Sequence, residues 1–395
     1  MKATNSKRKF NFEIDPYFVD YFQDRLKQVF LYVTDHCQLR CKQCLYKPNL
    51  VFQMGSGEID LHTAIELISD FRKLGASKLT IMGGEPSLYG DSKHKQLMEL
   101  IAKSKELGYE YVRMDTNGQY EDDFLNKEGM KKLDEVSFSL DGYVPKIHDL
   151  LRGKGTFEKC VANIKRAINL GYNVDLTTCV HRELIKRNKD GELALDKMIQ
   201  FAEFLGLNRI NFHVLFKHGF PMDTWTEETD IKWYEWVDVY KEINENIEKN
   251  KYKISVRNPQ HFVTKEEFQK HPAYYGYCAA KLGERVLVHP DGMIRICSGL
   301  ISSKYCVAKY YNHKIVWEKG LTNELTDHKL DTYTPCTNQS KSMECGDLLP
   351  LCFSFKPKQN EIVWQKKLNW ESRKLIKPIK YIPFSEYRKF SEYRK

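Results

Sequence analysis

The hydrophobic positions between residue 28 and about residue 216 predict alternating strands and helices. Short runs rich in β-branched and aromatic residues are separated by longer segments of helical periodicity. The runs that predict strands are 29–34, 78–82, 111–116, 135–140, 173–180 and 209–215, and the segments that predict helices lie near 61–74, 93–106, 124–132, 157–170 and 194–205. This alternation is typical of repeated βα units built on a parallel sheet.

The helix after the first predicted strand has the clearest signals. Apolar residues recur at spacings of three and four between Leu61 and Leu74, which places them on one helical face. Asp60 precedes the segment as a candidate N-cap, and Gly75 follows it as a stop signal. Six βα units predict an α/β protein with a partial (β/α)6 TIM-like barrel, because the closed barrel of this type needs eight units.

Two segments of different character follow the barrel. Within 226–250, aromatic and aliphatic residues recur at helical spacing, so we expect a helix that packs on the barrel. A Cys-rich segment follows, and we expect it to be poor in strands. The chain then divides into an N-terminal extension at 1–27, the barrel at 28–217, a bridging helical segment at 218–275, a small Cys-rich domain at 276–355 and a basic tail at 356–395.

Composition indicates an ordinary globular protein. Of the 395 residues, 42% are hydrophobic and 29% are charged. No apolar run approaches the roughly 18–20 residues that a membrane span needs, and the N-terminal sequence lacks the apolar region of a secretory signal. We therefore expect a cytoplasmic protein that has no membrane partner and acts as a monomer.

The net charge of +9 is concentrated in the tail. Residues 353–395 contain 12 Lys and Arg against 4 Glu, which leaves about +1 for the rest of the chain. The tail ends in a tandem repeat of FSEYRK, at 384–389 and 390–395. A nucleic-acid enzyme is expected to carry a basic stripe across its working face. The distribution therefore argues against a nucleic-acid partner and favours a solvated tail.

The eleven cysteines favour metal or redox chemistry over disulfides, because the cytosol keeps thiols reduced. Cys37, Cys41 and Cys44 lie in the loop after the first predicted strand, at the barrel rim where active sites form. Three thiolates can hold three irons of a 4Fe–4S cluster and leave the fourth iron open. The alternative is a zinc site in which His36 supplies the fourth ligand.

At these cysteines the sequence resembles the radical S-adenosylmethionine (SAM) superfamily, whose signature is the spacing Cys37-x3-Cys41-x2-Cys44. The resemblance implies that one electron from the cluster cleaves SAM to methionine and a 5′-deoxyadenosyl radical, which abstracts a hydrogen atom from the substrate. The sequence departs from the family at Gln43, where an aromatic residue is usual. Tyr46 is a candidate to replace that residue in packing near the adenine.

Two later motifs strengthen the resemblance. Gly83-Gly84-Glu85-Pro86 matches the GGEP element that the family uses to bind the SAM ammonium group, and two glycines let a backbone come close to a ligand. A stretch that begins Ser139-Leu140-Asp141-Gly142 and ends at Arg152-Gly153 resembles the SLDG…HD…RG element. The cofactor-binding residues implied are Gly83, Gly84, Glu85, Asn117, Ser139 and Arg152, with Arg152 as the partner of the SAM carboxylate. His148 and Asp149 are interpreted as structural residues of a helix start.

The later cysteines resemble a SPASM or twitch domain. Cys278-x13-Gly292-x4-Cys297 matches the opening of these domains, although Ser342 stands where a further cysteine is expected. The resemblance implies one auxiliary 4Fe–4S cluster held by Cys278, Cys297, Cys345 and Cys352, with Cys336 as a competing ligand. A closed zinc site is the alternative. Cys160 and Cys179 are interpreted as buried small hydrophobic residues.

The resemblance implies a radical SAM oxidoreductase that modifies a peptide by cross-linking, oxidation or epimerisation, with a flavodoxin- or ferredoxin-type electron donor. The alternative is a dehydrogenase or epimerase of an aminosugar or similar small metabolite. Epimerisation would need a hydrogen donor, for which Cys306 or Cys336 is the candidate. A third hypothesis is a zinc-stabilised binding protein without catalytic activity.

Overall fold

The computed structural model describes residues 9–44, 46, 57–214, 226, 229–231, 233–257, 261–270, 277–298, 306–318, 348–351 and 355–356. Its strands are β1 (Glu13–Ile14), β2 (Gln28–Tyr32), β3 (Lys78–Met82), β4 (Tyr111–Thr116), β5 (Glu135–Ser139), β6 (Val174–Val180), β7 (Arg209–Val214), β8 (Ser255–Arg257), β9 (His261–Thr264), β10 (Tyr277–Cys278), β11 (Arg285–Val288), β12 (Met293–Arg295), β13 (Ala308–Tyr311), β14 (Lys314–Trp317), β15 (Leu348–Leu351) and β16 (Phe355–Lys356). Its α-helices are α1 (Pro16–Phe22), α2 (Leu61–Lys73), α3 (Lys95–Glu106), α4 (Pro145–Arg152), α5 (Thr156–Asn169), α6 (Ala194–Phe204), α7 (Trp233–Glu248) and α8 (Lys265–Lys270).

The predicted partial barrel is confirmed. Strands β2 to β7 are parallel neighbours in sequence order, and they match the six predicted strands to within about two residues at each end. Helix α2 begins where Asp60 accepts a hydrogen bond from the Thr63 amide at 3.0 Å, and Gly75 follows it with a positive φ of 120°. The N-cap and the stop signal therefore act as the sequence predicted.

The barrel also has a seventh parallel strand. Strand β8 pairs with β7, and Ile210 lies opposite Val256. Strand β8 was not predicted because it is three residues long, with a serine and an arginine flanking one valine.

Helix α7 confirms the bridging helix, although it begins at Trp233 rather than near 226. Trp236, Val239 and Ile243 are buried in the main hydrophobic core. The aromatic stripe thus packs on the barrel as expected.

The prediction that the Cys-rich segment is poor in strands is wrong. Strand β11 pairs in parallel with β2, and β12, β13 and β14 continue the same sheet in antiparallel order. The four strands were missed because each has only three or four residues. Within the described ranges this sheet has twelve strands, ordered β1-β14-β13-β12-β11-β2-β3-β4-β5-β6-β7-β8.

The N-terminal residues before the barrel are packed against this extended sheet. Strand β1 pairs with β14, and the rings of Phe18 and Phe22 on α1 are fully buried. Phe18 meets Trp317 of β14 edge to face, at 6.3 Å between ring centroids. The first described residues therefore contribute to the core that joins the barrel to β11–β14.

Two local predictions need correction. The helix expected near 124–132 consists of two short 3₁₀ segments, Phe124–Asn126 and Glu128–Lys132. Gly129 lies in the second segment where a Cβ atom would be 2.6 Å from Met98, so close packing on α3 governs this stretch rather than helical propensity. Helix α4 was not predicted from the sequence, and its Asp149 accepts hydrogen bonds from the Gly155 and Phe157 amides at the start of α5.

No helix within the described ranges has the length and apolar character needed to cross a membrane.

Candidate active site

The cysteine loop begins directly after β2, at the carboxyl-terminal rim of the barrel. Backbone hydrogen bonds fasten its first residues to the loop after β3, because the Gly84 amide donates to the Thr34 carbonyl at 2.7 Å and the Glu85 amide donates to the His36 carbonyl at 2.7 Å. Further along, the Lys42 amide donates to the Leu151 carbonyl of α4 at 2.8 Å. The loop is therefore held at both sides by neighbouring rim elements.

Gly83 and Gly84 are required by this backbone contact. A Cβ atom at Gly83 would lie 2.4 Å from the Thr34 carbonyl oxygen, and one at Gly84 would lie 2.2 Å from the His36 carbonyl oxygen. Atoms do not approach so closely, so any larger residue would displace the cysteine loop. The two glycines therefore let the loop after β3 pack directly on the backbone of the cysteine loop, and their contact with SAM stays a prediction.

The three thiols of the loop lie close to one another and are unoxidised. Cys37 and Cys41 are buried and Cys44 is half-buried. Burial raises the pKa of Cys37 to about 12 and that of Cys41 to about 11. The Arg40 guanidinium lies within electrostatic reach of all three. Buried thiolates need a cationic partner, and a loop with three of them fits an iron–sulfur cluster that has one open iron.

The zinc alternative at this loop gains no support from His36. Its imidazole is buried, and Nδ1 lies 3.3 Å from the Glu58 carboxylate. In the part of the chain that the structure describes, no three or more His, Cys, Asp or Glu residues are arranged to hold a single metal ion.

Glu85 and Asn117 form a unit beneath the cysteine loop. The Glu85 carboxylate is 1% exposed and accepts hydrogen bonds from the Thr116 hydroxyl and from the Asn117 amide, both at 2.7 Å. The Asn117 side-chain amide in turn lies 3.8 Å from the Cys37 sulfur. Glu85 thereby fixes the loop after β4, and Asn117 lies against a thiol of the cluster loop.

Asp141 is the polar centre of the site, and the sequence reasoning gave it no role. Its carboxylate is fully buried and accepts from Arg152 Nε at 2.5 Å, from Gln43 Nε2 at 2.6 Å and from the Cys179 amide at 2.7 Å. Its own amide donates to His148 Nδ1 at 3.1 Å. One carboxylate thus joins the cysteine loop, α4 and β6. The SLDG motif pointed to this position, but it did not say which residues Asp141 would contact.

Arg152 lies between Asp141 and the cysteine loop. Its Nη1 is 3.9 Å from the Cys41 sulfur. Burial would lower the pKa of Arg152, but Asp141 and the thiols of Cys41 and Cys179 raise it above its usual value. The arginine therefore supplies a fixed positive charge beside the thiols.

Gln43 has a specific place in this arrangement. The side chain is 4% exposed, its Nε2 donates to Asp141, and its Oε1 has no hydrogen-bond partner. A phenylalanine at this position has no donor and could not make the bond to Asp141. The departure from the family pattern is thus matched by a polar contact within the site. Tyr46 lies to one side, where its hydroxyl is hydrogen-bonded to that of Tyr32.

Cys179 is not a buried small hydrophobic residue, and that interpretation is corrected. Its thiol is half-buried, and it lies within electrostatic reach of Cys41, Cys44, Asp141 and Arg152.

Ser139, which is also half-buried, lies opposite Thr177 in the parallel register of β5 and β6. Cys160 fits its interpretation, since it is fully buried on α5.

Buried ion pairs fill the opposite end of the barrel, at the beginning of the parallel strands. Arg113 Nη1 lies 3.2 Å from Glu135 and 3.3 Å from Asp175, and Arg209 contacts both carboxylates. Arg113 and Arg209 lower the pKa of Asp175 despite its burial. A balanced charge network therefore closes the barrel below the site.

Two of the four predicted auxiliary-cluster ligands are described. Cys278 and Cys297 are buried and lie within electrostatic reach of each other, and Arg285 Nη2 is 3.8 Å from the Cys297 sulfur. Strand β16 places Phe355 opposite Cys278. Gly292 adopts a positive φ of 83° in the turn between β11 and β12. Cys336, Cys345 and Cys352 lie outside the described residues, so their role stays a prediction.

Cys306 lies just before β13, within electrostatic reach of Arg295. It is buried and donates to the Ala308 carbonyl at 2.9 Å. The structure does not test its role as a hydrogen donor.

Comparisons with known proteins bear on the barrel. Residues 31–189 match the family model described as the Radical SAM superfamily. A "Probable GTP 3′,8-cyclase" of Saccharolobus solfataricus is 28% identical over 246 residues, which cover 62% of this chain and 71% of that protein.

Solved structures share the fold at low sequence identity. Streptococcus suis SuiB bound to S-adenosylmethionine aligns with a TM-score of 0.52 at 14% identity, covering 80% of this chain and 69% of that one. Native anSMEcpe with bound AdoMet and Cp18Cys peptide aligns with a TM-score of 0.57 at 14% identity, covering 89% and 99%. The family model spans the cysteine loop, the glycine pair and Arg152, and the solved structures share the fold of this chain.

Proposed function

We propose that the protein is a radical SAM enzyme that abstracts a hydrogen atom from a peptide substrate at the barrel mouth. We propose this chemistry because Cys37, Cys41 and Cys44 lie together with Arg152 at one rim of the barrel. Cys37, Cys41 and Cys44 would hold a 4Fe–4S cluster, and the chemistry that this cluster would supply is the one-electron cleavage of SAM to methionine and a 5′-deoxyadenosyl radical.

The surrounding residues have definable tasks in this proposal. Asp141 orients Arg152 with a hydrogen bond to Nε, which leaves the Nη groups directed toward Cys41 and the methionine carboxylate of SAM. Asn117 supports Cys37 through an N–H···S contact, and Glu85 holds Asn117 in place. Ser139 lies at the carboxyl end of β5, where its hydroxyl is a candidate contact for the ribose or methionine.

A peptide is the proposed substrate because the fold similarity extends over almost the whole length of anSMEcpe, which was solved with a Cp18Cys peptide. The predicted auxiliary cluster at Cys278, Cys297, Cys345 and Cys352, with Cys336 as alternative ligand, would bind the substrate or accept an electron from it. In this proposal a flavodoxin- or ferredoxin-type protein supplies the first electron.

A second candidate is radical chemistry on a nucleotide. The observation that favours it is the 28% identity to a probable GTP 3′,8-cyclase, which covers more of the sequence than the family model does. The two candidates share the SAM site and differ in what enters the barrel.

Iron analysis and SAM cleavage test the common chemistry. After anaerobic reconstitution, about four irons per chain correspond to one cluster and about eight to two. Reduction with dithionite should then release 5′-deoxyadenosine from SAM. A variant with Cys37, Cys41 and Cys44 all changed to Ala should lose that activity, whereas Cys160→Ala is the matched control and should keep it. Zinc without iron, or no 5′-deoxyadenosine from the wild type, would refute the proposal.

Isotope transfer separates the substrates. Deuterated GTP and a deuterated peptide encoded beside this gene would be supplied in parallel, and 5′-deoxyadenosine would be analysed by mass spectrometry. We expect deuterium in 5′-deoxyadenosine from the peptide. Deuterium from GTP alone would instead establish the nucleotide reaction. A peptide product of unchanged mass would indicate epimerisation, and a loss of two hydrogens would indicate cross-linking or oxidation.

A further inference from the structure

Near the candidate active site, the buried guanidinium of Arg295 has few hydrogen-bond acceptors among the described residues. Arg295 on β12 is 2% exposed, yet among the described residues its Nε and Nη1 atoms have no hydrogen-bond partner. Its third nitrogen, Nη2, lies 3.1 Å from the Met293 sulfur, which is a weak acceptor. The nearest carboxylate in an ion pair with it is Asp291, at 3.6 Å, beyond hydrogen-bond distance.

The ion pair with Asp291, in the turn after β11, places this guanidinium near the rim that carries the cysteine loop. Strand β11 runs parallel to β2. His289, which follows β11, and the loop that follows β2 therefore lie at the same end of the strands. The His289 ring stacks on Tyr32 at 4.1 Å with an interplanar angle of 14°. Arg295 lies opposite Leu287 in the β11–β12 pair and within electrostatic reach of Asp35, Tyr46 and His289.

Two polar groups at this place are buried without partners. Besides Arg295, His289 is 6% exposed and its Nε2 atom has no hydrogen-bond partner. A buried charge with unsatisfied donors is costly, and in native proteins such groups are satisfied by a partner, water or a ligand. Within the described residues, the protein itself does not supply the hydrogen bonds that would justify burying Arg295. A ligand that brings acceptor oxygens would supply them.

We propose that Arg295, with His289 beside it, binds an anionic group of the substrate, a carboxylate or a phosphate, next to the SAM site. This inference rests on the proposed function and specifies the substrate class, because it requires a negatively charged group near the reacting position. Carboxylate and phosphate oxygens are the natural partners of a guanidinium. The aromatic pair of Tyr32 and Tyr46 would form one wall of this site.

Calorimetric titration of the reconstituted holoenzyme tests the site with two pairs of probes. One pair is GTP and guanosine, and the other is the amidated tripeptide Ala-Glu-Ala and its neutral counterpart Ala-Gln-Ala. We expect the charged member of one pair to bind more tightly than its neutral counterpart. Arg295→Gln should weaken that binding about tenfold or more, the usual cost of losing hydrogen bonds to a charged group. A GTP response indicates a phosphate, and a tripeptide response indicates a carboxylate.

Arg182→Gln is the matched control, because the Arg182 guanidinium, unlike that of Arg295, makes a two-pronged ion pair with a carboxylate, that of Glu235. It should bind the charged probe like the wild type. In thermal unfolding without ligand, Arg182→Gln should lower the melting temperature, whereas Arg295→Gln should leave it unchanged or raise it. Equal binding by Arg295→Gln and wild type, absence of any preference for a charged probe, or a melting temperature lowered as far as in the control would overturn the inference. Wild-type formation of 5′-deoxyadenosine is measured separately, so failure of the proposed function would be recognised independently of these results.

Discussion

Gln43 Nε2 donates a hydrogen bond to Asp141 Oδ2 at 2.6 Å, on the same carboxylate oxygen that accepts from Arg152 Nε. The residue before Cys44 is thereby connected to the arginine at the end of α4. A phenylalanine at this position would lack the contact. Changes at Gln43 should therefore act through Asp141 and Arg152 as well as through packing beside the thiols.

Gln43→Glu should damage the site more than Gln43→Met. The glutamate would put a second buried carboxylate against Asp141, and an uncompensated buried charge costs on the order of 3–5 kcal/mol. The methionine keeps most of the volume and loses the hydrogen bond, which is worth about 1.5–3 kcal/mol for a charged acceptor. Urea unfolding of the iron-free protein measures both effects, and equal stability of the two variants would contradict the role given to Asp141.

Gly84→Ala should release the cysteine loop. Its added methyl group would lie 2.2 Å from the His36 carbonyl oxygen, so the loop must move away from β3. We expect reduced iron content after reconstitution and weaker SAM binding. Gly171→Ala is the control, because a Cβ atom there meets nothing within 4 Å. That variant carries only the strain of a positive φ, roughly 1 kcal/mol, and should bind iron normally. Normal iron content in Gly84→Ala would exclude the proposed contact.

The sequence predicted the parallel barrel well because its strands are long apolar runs and its helices carry a clear periodicity. Strands β11 to β14 were missed for the opposite reason, since three or four residues give no usable period. The cysteine triad, the glycine pair and Arg152 were found as motifs. A motif identifies residues but not their contacts. The sequence therefore could not show that Gly84 packs against the backbone of His36 or that Asp141 hydrogen-bonds to both Gln43 and Arg152. It also placed Cys179 in the core, because strand alternation cannot distinguish the barrel lumen from a packed interior.

Asp141→Asn should uncouple Arg152 from the site. Removing one partner of a buried ion pair costs about 3–5 kcal/mol, and the amide cannot accept all three of the donors that the carboxylate satisfies. We expect lower stability, weaker SAM binding and a changed electron paramagnetic resonance signal of the reduced cluster on SAM addition. Asp196→Asn is the matched control, since Asp196 is also a buried, paired carboxylate but lies on α6 with Lys251. If both variants changed the cluster signal alike, Asp141 would have no special role.

The charge network at the bottom of the barrel should make stability depend on pH in acid. Arg113 and Arg209 lower the pKa of Asp175 in the folded protein, whereas in the unfolded chain it titrates near its usual value of about 3.9. Its contribution to stability is therefore fully present above that unfolded pKa and is lost as the pH falls toward the lower folded pKa. Glu135 shifts in the opposite direction because burial and Asp175 raise its pKa, so its neutralisation in acid partly offsets the loss.

Asp175→Asn should remove this acid-sensitive component. We expect the free energy of unfolding to fall at pH 7, because Arg113 and Arg209 lose a buried counter-charge, and to decline less steeply than the wild type below about pH 4. Urea unfolding between pH 3 and pH 7, at constant ionic strength, measures both slopes. Parallel pH profiles for wild type and variant would mean that Asp175 is not the ionised member of the network. Because the network lies at the end of the barrel opposite the cysteine loop, iron content and SAM binding should change far less in this variant than in Asp141→Asn.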